Sequence, residues 1–440
     1  MEIAINKKNS IQDWFSINES TGISFLKLKY YCEVKDGTHE TPGYVEPSDE
    51  TFPLITSKDI KNGEISFDDA KYISEEDFLK INMRSNVKKN DVIMPMIGTI
   101  GNPAIVNTNR DFSIKNVALF KTKSIIEAKY LKYTLDNHIV HKQFELLNRG
   151  GVQSFVSLNL LENIYIIKNK SMELLVNFLD YKTNEIDSLI SDKEKLITLL
   201  EEKRQAVITE AVTKGLNHDV EMKDSGVEWI GKVPQGWKMV RLKHIGEAIT
   251  GLTYSPTEVV SEGEGKLVLR SSNIKDGQIV YGNNVFVNKE IPEKLISKAG
   301  DILICSRNGS RHLIGKCALI DVESEGSSFG AFTTTFRSRS NEFLYFVFQS
   351  QLFHSQIGSF LTSTINQLTI GNLKSFPIVL PDDKEQKKLV DFLNLKTSEI
   401  NSLVKDVKET INKLKEYRQS VIYEAVTGKI DVCEYGKINE

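Results

Sequence analysis

Arginine, asparagine and glycine residues stand close together in one short segment, Ser306–Lys316, which reads SRNGSRHLIGK. An arginine side chain can donate two hydrogen bonds to guanine O6 and N7, and an asparagine can pair in the same way with adenine N6 and N7. Glycines let the backbone approach a phosphate closely. The segment therefore predicts that Arg307, Asn308, Ser310 and Arg311 contact DNA.

Other polar loops occur at matched places in the two halves of the chain. The counterpart of Ser306–Lys316 is MIGTIGNPAI (96–105), which has the glycines but lacks the arginines. Two such loops that contact bases should therefore recognise different ones. A solvated turn is the alternative for any single loop, and their recurrence favours a function. The remaining predicted DNA-contacting residues are Thr56, Ser57, Lys58, Lys61, Thr99, Asn102, Arg149, Gln153, Arg270, Ser271, Asn273, Lys275 and Gln367.

Motifs that would support catalysis are missing. The sequence has no GxxxxGK[ST] loop, no GxGxxG motif after a strand and no NPPY-type motif, since its Asn-Pro dipeptide at 102–103 is followed by alanine. The run Pro381–Lys384 resembles an acid-and-lysine cluster, but contiguous residues at a helix entrance favour capping. His138 and His141 have metal-ligand spacing without a neighbouring cysteine or carboxylate pair, which favours an ordinary helix face. We predict no catalytic residues, no metal site and no cofactor in this chain.

Composition sets broad limits. A chain of 440 residues is too long for one compact core. The net charge of −3 argues weakly against nucleic-acid binding, but a basic face can be balanced by acidic residues elsewhere. The absence of a long apolar run, of a signal-type N-terminus and of a CxxC pair predicts a cytoplasmic protein.

An internal repeat determines the architecture. Residues 177–213 and 391–427 align without a gap at an offset of 214, with 20 of 37 positions identical. The same offset places Gly101 on Gly315 and Gln153 on Gln367. The segment KDSGVEWIGKVPQGWK (223–238) thus opens a second copy.

The repeated blocks are predicted to be long helices, because neither contains proline or glycine. The second block has coiled-coil spacing, and the first follows it less strictly. A length of 37 residues gives a rod of about 55 Å; the alternative is a pair of helices inside ordinary domain cores. The apolar stripes are Ile400, Val407, Leu414 and Val421 with Leu403 and Tyr417 adjoining, and Ile186, Leu189, Leu196, Leu200 and Val207.

The predicted fold class is α+β, with two mixed α/β domains joined by two long antiparallel coiled-coil helices in a pseudo-twofold tandem duplication. The predicted boundaries are 1–172 for the first globular domain, 173–216 for the first helix, 217–238 for the linker, 239–380 for the second globular domain, 381–430 for the second helix and 431–440 for the tail.

Over essentially its whole length the chain resembles the specificity subunit of type I restriction-modification systems. The resemblance is carried by KDSGVEWIGKVPQGWK, by PDDKEQKKLVDFL (381–393), by KDGTHETPGY (35–44) and by the pair KRQAVITEAVTKGL and YRQSVIYEAVTGKI at the helix ends. It implies that each globular domain is a target recognition domain for one half of a split DNA site, and that the helices set the gap.

The resemblance also implies partners. Two copies of an adenine-N6 DNA methyltransferase subunit would dock on the helices, and a restriction and motor subunit would join through them. S-adenosylmethionine, ATP and Mg would be bound by those partners. The helix residues expected at the partner surface are Arg204, Gln205, Glu210, Arg418, Gln419 and Glu424.

Two departures from the family pattern concern the first copy. It lacks both the P…EQ helix entry, where Ile167–Met172 stands, and a GVEWIG-type opening. The alternatives left open by the sequence are a recognition subunit of a related system without a motor, and a coiled-coil scaffold whose globular domains bind protein.

Overall fold

The structure of the protein is a computed structural model, and it describes residues 23–61, 63–98, 100–147, 155–361 and 366–432. Thr99, Arg149 and Gln153, three of the predicted DNA-contacting residues, lie outside the described residues. The chain divides into two compact units, one formed by Met1–Asp192 with Thr410–Glu440 and the other by Lys193–Glu409.

The first unit contains a mixed α/β domain of short strands. Strands β2, β10, β7 and β8 pair in that order, β3 pairs in parallel with β9 and antiparallel with β6, β1 pairs with β11, and β4 pairs with β5. The strands are β1 (Ile23–Lys27), β2 (Val34–Asp36), β3 (Phe52–Ile55), β4 (Ile60–Lys61), β5 (Glu64–Ile65), β6 (Lys71–Ile73), β7 (Val92–Pro95), β8 (Ala104–Ile105), β9 (Ser113–Ile114), β10 (Val117–Phe120) and β11 (Tyr165–Asn169).

Helices cover the sheets of this domain. They are α1 (Glu75–Asn82), α2 (Ile125–Leu135), α3 (His138–Leu147) and α4 (Leu158–Asn163), and the long helix α5 (Met172–Lys214) follows them in the chain. Serines 74, 124 and 157 precede α1, α2 and α4, and each hydroxyl accepts a hydrogen bond from a first-turn amide. Strands β7 and β10 are buried throughout, because α2 packs on a face that an isolated sheet would leave exposed.

The second unit repeats this topology. Strands β15, β24, β21 and β22 pair in the order seen for β2, β10, β7 and β8, and β14–β25 and the parallel pair β17–β23 correspond to β1–β11 and β3–β9. The strands are β12 (Met222–Asp224), β13 (Lys232–Pro234), β14 (Lys238–Arg241), β15 (Glu247–Thr250), β16 (Val259–Val260), β17 (Lys266–Leu269), β18 (Ile274–Lys275), β19 (Gln278–Ile279), β20 (Phe286–Val287), β21 (Ile302–Cys305), β22 (Cys317–Leu319), β23 (Ser328–Phe329), β24 (Thr333–Arg337) and β25 (Pro377–Leu380).

Two glycines occupy equivalent positions of the repeat in segments whose other side chains differ. Gly101 and Gly315 have φ values of +96° and +90°. A Cβ on Gly101 would lie 2.4 Å from the His141 ring, and one on Gly315 would lie 2.3 Å from Ile357 Cδ1. Both the backbone conformation and the close helix packing therefore require glycine.

The helices of the second unit are α6 (Asn341–Gln349), α7 (Gln351–Phe360) and α8 (Ile370–Ser375), and α9 (Asp383–Val426) follows. Helices α5 and α9 span 43 and 44 residues, or about 65 Å each. In the first unit, Leu175 and Leu179 at the start of α5 pack with Ile422 near the end of α9. In the second, Leu389 of α9 packs with Ile208 of α5. The helix segments are thus antiparallel in each unit, and the predicted fold class is confirmed.

The predicted apolar stripes are only partly correct. Ile186, Ile400 and Val421 are buried, as the heptad spacing predicts. Leu403 and Tyr417 are about half exposed, and so are Leu189 and Leu196 of α5. Ile411, which lies outside the predicted heptad series, is buried instead; it continues the Ile400–Val407 face with the alternating three- and four-residue steps of a helix seam.

Candidate nucleic-acid interface

A capped turn follows β3 in the first unit and β17 in the second. The Thr56 amide and hydroxyl both donate to Asp59 Oδ2 at 2.8 Å, and the Arg270 amide donates to Asn273 Oδ1 at 3.0 Å. These bonds tie down short helical turns that begin at Ser57 and Ser271. The two units therefore present the predicted loops 56–58 and 270–272 on equivalent scaffolds.

Asn273 lies inside this scaffold. It is fully buried, and its amide nitrogen donates to the Val280 carbonyl at 3.0 Å and to Asn284 Oδ1 at 3.1 Å. A side chain so placed cannot reach a base edge. We therefore assign Asn273 to the support of the turn instead of to DNA contact, in contrast to the prediction from its sequence position.

The loop after β21 carries Arg307 to the surface of the second unit. The Arg307 guanidinium is exposed and lies 5.3 Å from the ring centroid of Phe332. Within the part of the chain that the structure describes, no side chain or carbonyl accepts a hydrogen bond from it. Cys305, at the end of β21, is buried, and burial raises the pKa of its thiol, so the thiol below this loop stays uncharged. None of the five N–H donors of the Arg307 guanidinium is paired with a described residue.

Arg307 stands at the edge of a cavity of about 380 Å³. Asn308 holds the loop: its Oδ1 accepts from the Ser310 amide at 2.9 Å, and its Nδ2 lies 3.4 Å from Ser271 Oγ. A second cavity of about 500 Å³ adjoins, and Ser271 and Phe332 line both. The predicted loops 270–272 and 306–310 thus meet in one place, with Gln367 exposed beside them and paired through its backbone with Arg307.

Two other arginines of this region donate hydrogen bonds within the domain. Arg311 Nη2 donates to the carbonyls of Gly358 and Leu361 at 3.3 and 3.2 Å, where α7 ends. Arg270 Nη2 donates to the Asn283 carbonyl. Lys275 is exposed on β18. Among the residues that the structure describes, Arg307 is the cation that lines this cavity and whose side chain donates no hydrogen bond.

The corresponding surface of the first unit carries different polar and charged side chains. Lys58 and Lys61 are exposed, and Asn102 is half-buried with φ +56°. The buried carboxylate of Asp36 forms an ion pair with Arg84 and lies 2.9 Å from His39 Nε2.

Sequence reasoning missed this polar cluster. His39 Nδ1 also lies 2.9 Å from Asn116 Oδ1, so both ring nitrogens of His39 lie within hydrogen-bond distance of a polar neighbour. Asp36, His39, Arg84 and Asn116 are far apart in the chain, which hides their association. The motif KDGTHETPGY, which contains the first two, was the available signal.

The predicted partner-facing arginines hold the globular domains to the long helices. In the second unit Arg204 donates to Gln349 Oε1, and Gln205 Nε2 donates to the Gln349 carbonyl at 2.6 Å. In the first unit Arg418 Nε donates to Asp187 Oδ1 at 2.9 Å, which joins α9 to α5, and Arg418 Nη1 lies 3.9 Å from Asp136 Oδ2 of the globular domain. Glu210 and Gln419 are exposed and Glu424 is half-buried.

Large apolar side chains are exposed at matched positions of the two long helices. Tyr181 and Leu189 of α5 are 55% and 46% exposed in the first unit, and Leu395 and Leu403 of α9 are 58% and 50% exposed in the second. The offset of 214 relates each to its counterpart. The duplication has therefore kept an apolar surface that folding of each unit does not bury.

The motifs that the sequence set aside behave as ordinary structure. The Glu385 amide donates to Asp382 Oδ1 at 2.8 Å, which confirms that Asp382 caps α9. His141 packs against Gly101 and lies 3.8 Å from Asp136. Among the described residues, no group of three or more His, Cys, Asp or Glu side chains is placed to hold a metal ion. None of the helices described combines the length and apolar character needed to cross a membrane.

Comparisons with known proteins point in one direction. Residues 234–413 match the family model described as the type I restriction modification DNA specificity domain. The chain is 22% identical to the type I restriction enzyme MjaVIII specificity subunit of Methanocaldococcus jannaschii, over 96% of this chain and 94% of the relative. It is 28% identical to the EcoKI specificity subunit of Escherichia coli, over 46% of this chain and 44% of that one.

A solved structure from a type I R-M system has the same fold. The similarity has a TM-score of 0.67 at 17% identity and covers 94% of this chain and 99% of the other. The resemblance predicted from the sequence is confirmed: along its length the chain resembles the specificity subunits of type I restriction-modification systems.

Proposed function

We propose that this chain, a relative of the type I specificity subunits, binds DNA sequence-specifically, and that each globular domain reads one half of a bipartite, asymmetric site. The observation that carries the proposal is the exposed Arg307 guanidinium at the cavity of the second unit, with its donors free among the described residues. A rigid loop that presents an unpaired arginine provides the group that most often reads guanine in the major groove.

The two halves of the site are proposed to differ. Arg307 has no arginine counterpart in the loop 96–105 of the first unit. That unit instead presents Arg84 and His39, both oriented by the buried carboxylate of Asp36. Since the scaffolds match and the exposed groups do not, the domains are suited to different base sequences.

The long helices are proposed to set the gap between the half-sites and to dock two copies of an adenine-N6 DNA methyltransferase subunit. The exposed pairs Tyr181 with Leu189 and Leu395 with Leu403 support this, because two identical partners need two equivalent surfaces. A restriction and motor subunit would join through the methyltransferase copies.

Catalysis and cofactor binding are assigned to the partner subunits. In this proposal S-adenosylmethionine, ATP and Mg bind to those subunits, the present chain supplies recognition without catalysis, and the assembly works in the cytoplasm. The sequence motifs that would bind such cofactors in this chain are missing, as described above.

Selection from a random DNA library tests the proposal. The full chain, co-purified with an adenine-N6 DNA methyltransferase subunit from its host, should enrich two short conserved blocks separated by a gap of fixed length. Enrichment of a single block, or of none, would contradict bipartite reading. Removal of the methyltransferase subunit alone should lower affinity without changing the selected sequence.

A further inference from the structure

Phe332 is a large apolar side chain at the surface of the second unit, and it is 59% exposed. It lines both cavities, as Ser271 does, and it shares the first of them with Arg307. Its backbone is nevertheless fixed, since its carbonyl accepts hydrogen bonds from the Ser306 and Arg307 amides at 3.0 Å each and from Ser306 Oγ at 3.1 Å. The backbone hydrogen bonds therefore hold the exposed ring in a fixed place at the protein surface.

The ring and the free arginine form one assembly. The Arg307 guanidinium lies 5.3 Å from the centroid of the Phe332 ring, within the range of a cation–π contact. Gln367 pairs with the backbone of Arg307 and steadies the same loop. A ligand that meets Arg307 therefore also meets Phe332.

The fold does not require an aromatic residue at this position. In the first unit the corresponding carbonyl belongs to Asn116, which accepts from the Met96 amide at 3.2 Å as Phe332 accepts from Ser306. Asn116 is polar and bonded to His39. The turn of the second unit is one residue longer, with three residues between β23 and β24 against two between β9 and β10, and the Phe332 ring is 59% exposed, so the packing of the domain does not explain the phenylalanine.

We infer that Phe332 contacts the C5-methyl group of a thymine next to the base that Arg307 contacts, so that this pair of side chains reads a base step. The inference rests on the proposed function. The thymine methyl is the apolar group that base edges offer in the major groove, and the other edges present hydrogen-bond donors and acceptors. An exposed ring beside an unpaired arginine matches a polar base edge followed by a methyl group.

Replacement of thymine by deoxyuridine tests this contact, because it removes the methyl group and leaves the base pair intact. The full chain in complex with its methyltransferase is used, after the recognised sequence has been determined. Each thymine in the half-site of the second unit is replaced in turn, and affinity is measured by fluorescence anisotropy. Burial of one methyl group corresponds to a change of about fourfold.

The expected result is one thymine whose replacement weakens binding about fourfold in the unmodified complex and has no effect in the Phe332→Ala variant. Phe332→Leu, which keeps an apolar side chain, should retain part of the sensitivity. Phe155→Ala removes an exposed aromatic residue of the first unit and should leave the thymine pattern of the second half-site unchanged.

Two outcomes would overturn the inference. They are the lack of any sensitive thymine, and the same sensitivity in Phe332→Ala as in the unmodified complex, which means an equal loss of affinity for thymine and deoxyuridine duplexes in that variant. The last would indicate a ring inserted between base steps. If the unmodified complex does not distinguish its site from scrambled DNA, the proposed function fails and this inference fails with it.

Discussion

Replacement of Arg307 by alanine separates recognition from stability more cleanly than other changes in the second unit. Because the Arg307 side chain is exposed and its guanidinium donates no hydrogen bond to the described residues, the main internal contact of that side chain is the one with Phe332. An exposed cation–π contact contributes about 0.5–1 kcal/mol. The free energy of unfolding should therefore fall by no more than about 1 kcal/mol.

The effect on DNA binding should be larger. A bidentate arginine–guanine pair contributes about 1–3 kcal/mol of discrimination, which corresponds to about 5- to 150-fold in affinity. The loss should be confined to one position of the half-site read by the second unit. Arg307→Lys keeps the charge but not the planar pair of donors, so it should preserve binding to non-specific DNA and lose most of the discrimination.

Fluorescence anisotropy with the cognate duplex, with single-base variants and with scrambled DNA is the assay, at a fixed salt concentration. Arg311→Ala is the matched control, because Arg311 is bonded to the carbonyls of Gly358 and Leu361; it should lower stability without changing base preference. Equal weakening of cognate and scrambled DNA by Arg307→Ala would show a phosphate contact, and unchanged preference at every position would refute the assignment.

Three further results are expected. Asp59→Ala removes the acceptor of both Thr56 hydrogen bonds and should lower the free energy of unfolding by about 1–2 kcal/mol in denaturant titrations; wild-type stability in this variant would contradict the role of the capped turn. Burial lowers the pKa of His354 below its ordinary 6.5. The contribution of the neutral imidazole to the free energy of unfolding is therefore complete above pH 6.5 and is lost as the pH falls toward the lowered pKa. The free energy of unfolding of His354→Gln should depend less on pH in this range, and an unchanged dependence on pH would count against the assignment. Leu189→Glu and Leu403→Glu each place a charge on one exposed apolar surface, and native mass spectrometry should find one methyltransferase copy with either single variant and none with the double, whereas two copies throughout would exclude these surfaces.

The architecture could be predicted because the repeat, the helical segments and the turns each have a recognisable sequence pattern. The repeat at an offset of 214 and the proline- and glycine-free blocks identified the long helices, and matched glycines such as Gly101 and Gly315 marked the equivalent turns. The burial of individual helix residues was harder to predict. Leu189 and Leu403 fit the apolar spacing and are exposed, because heptad spacing identifies the apolar residues of a helix but not which of them the rest of the unit covers.

The site could be predicted only as a set of loops. The sequence identified the loop of Arg307, but it could not distinguish Arg307 from Arg311, since the bond to the end of α7 depends on folding. Asn273 has a residue type suited to base contact and is buried. The cluster around Asp36 joins residues from distant segments and left no pattern in the sequence beyond a single motif.

Sequencing of adenine methylation in the native host, with and without this gene, tests the central claim most directly. The account predicts a split motif with a fixed gap that is methylated in the parent strain and unmethylated after deletion, and that returns with the intact gene. Complementation with Arg307→Ala should restore methylation with altered or reduced specificity in one half of the motif only. A methylation pattern that is the same with and without the gene would contradict the account.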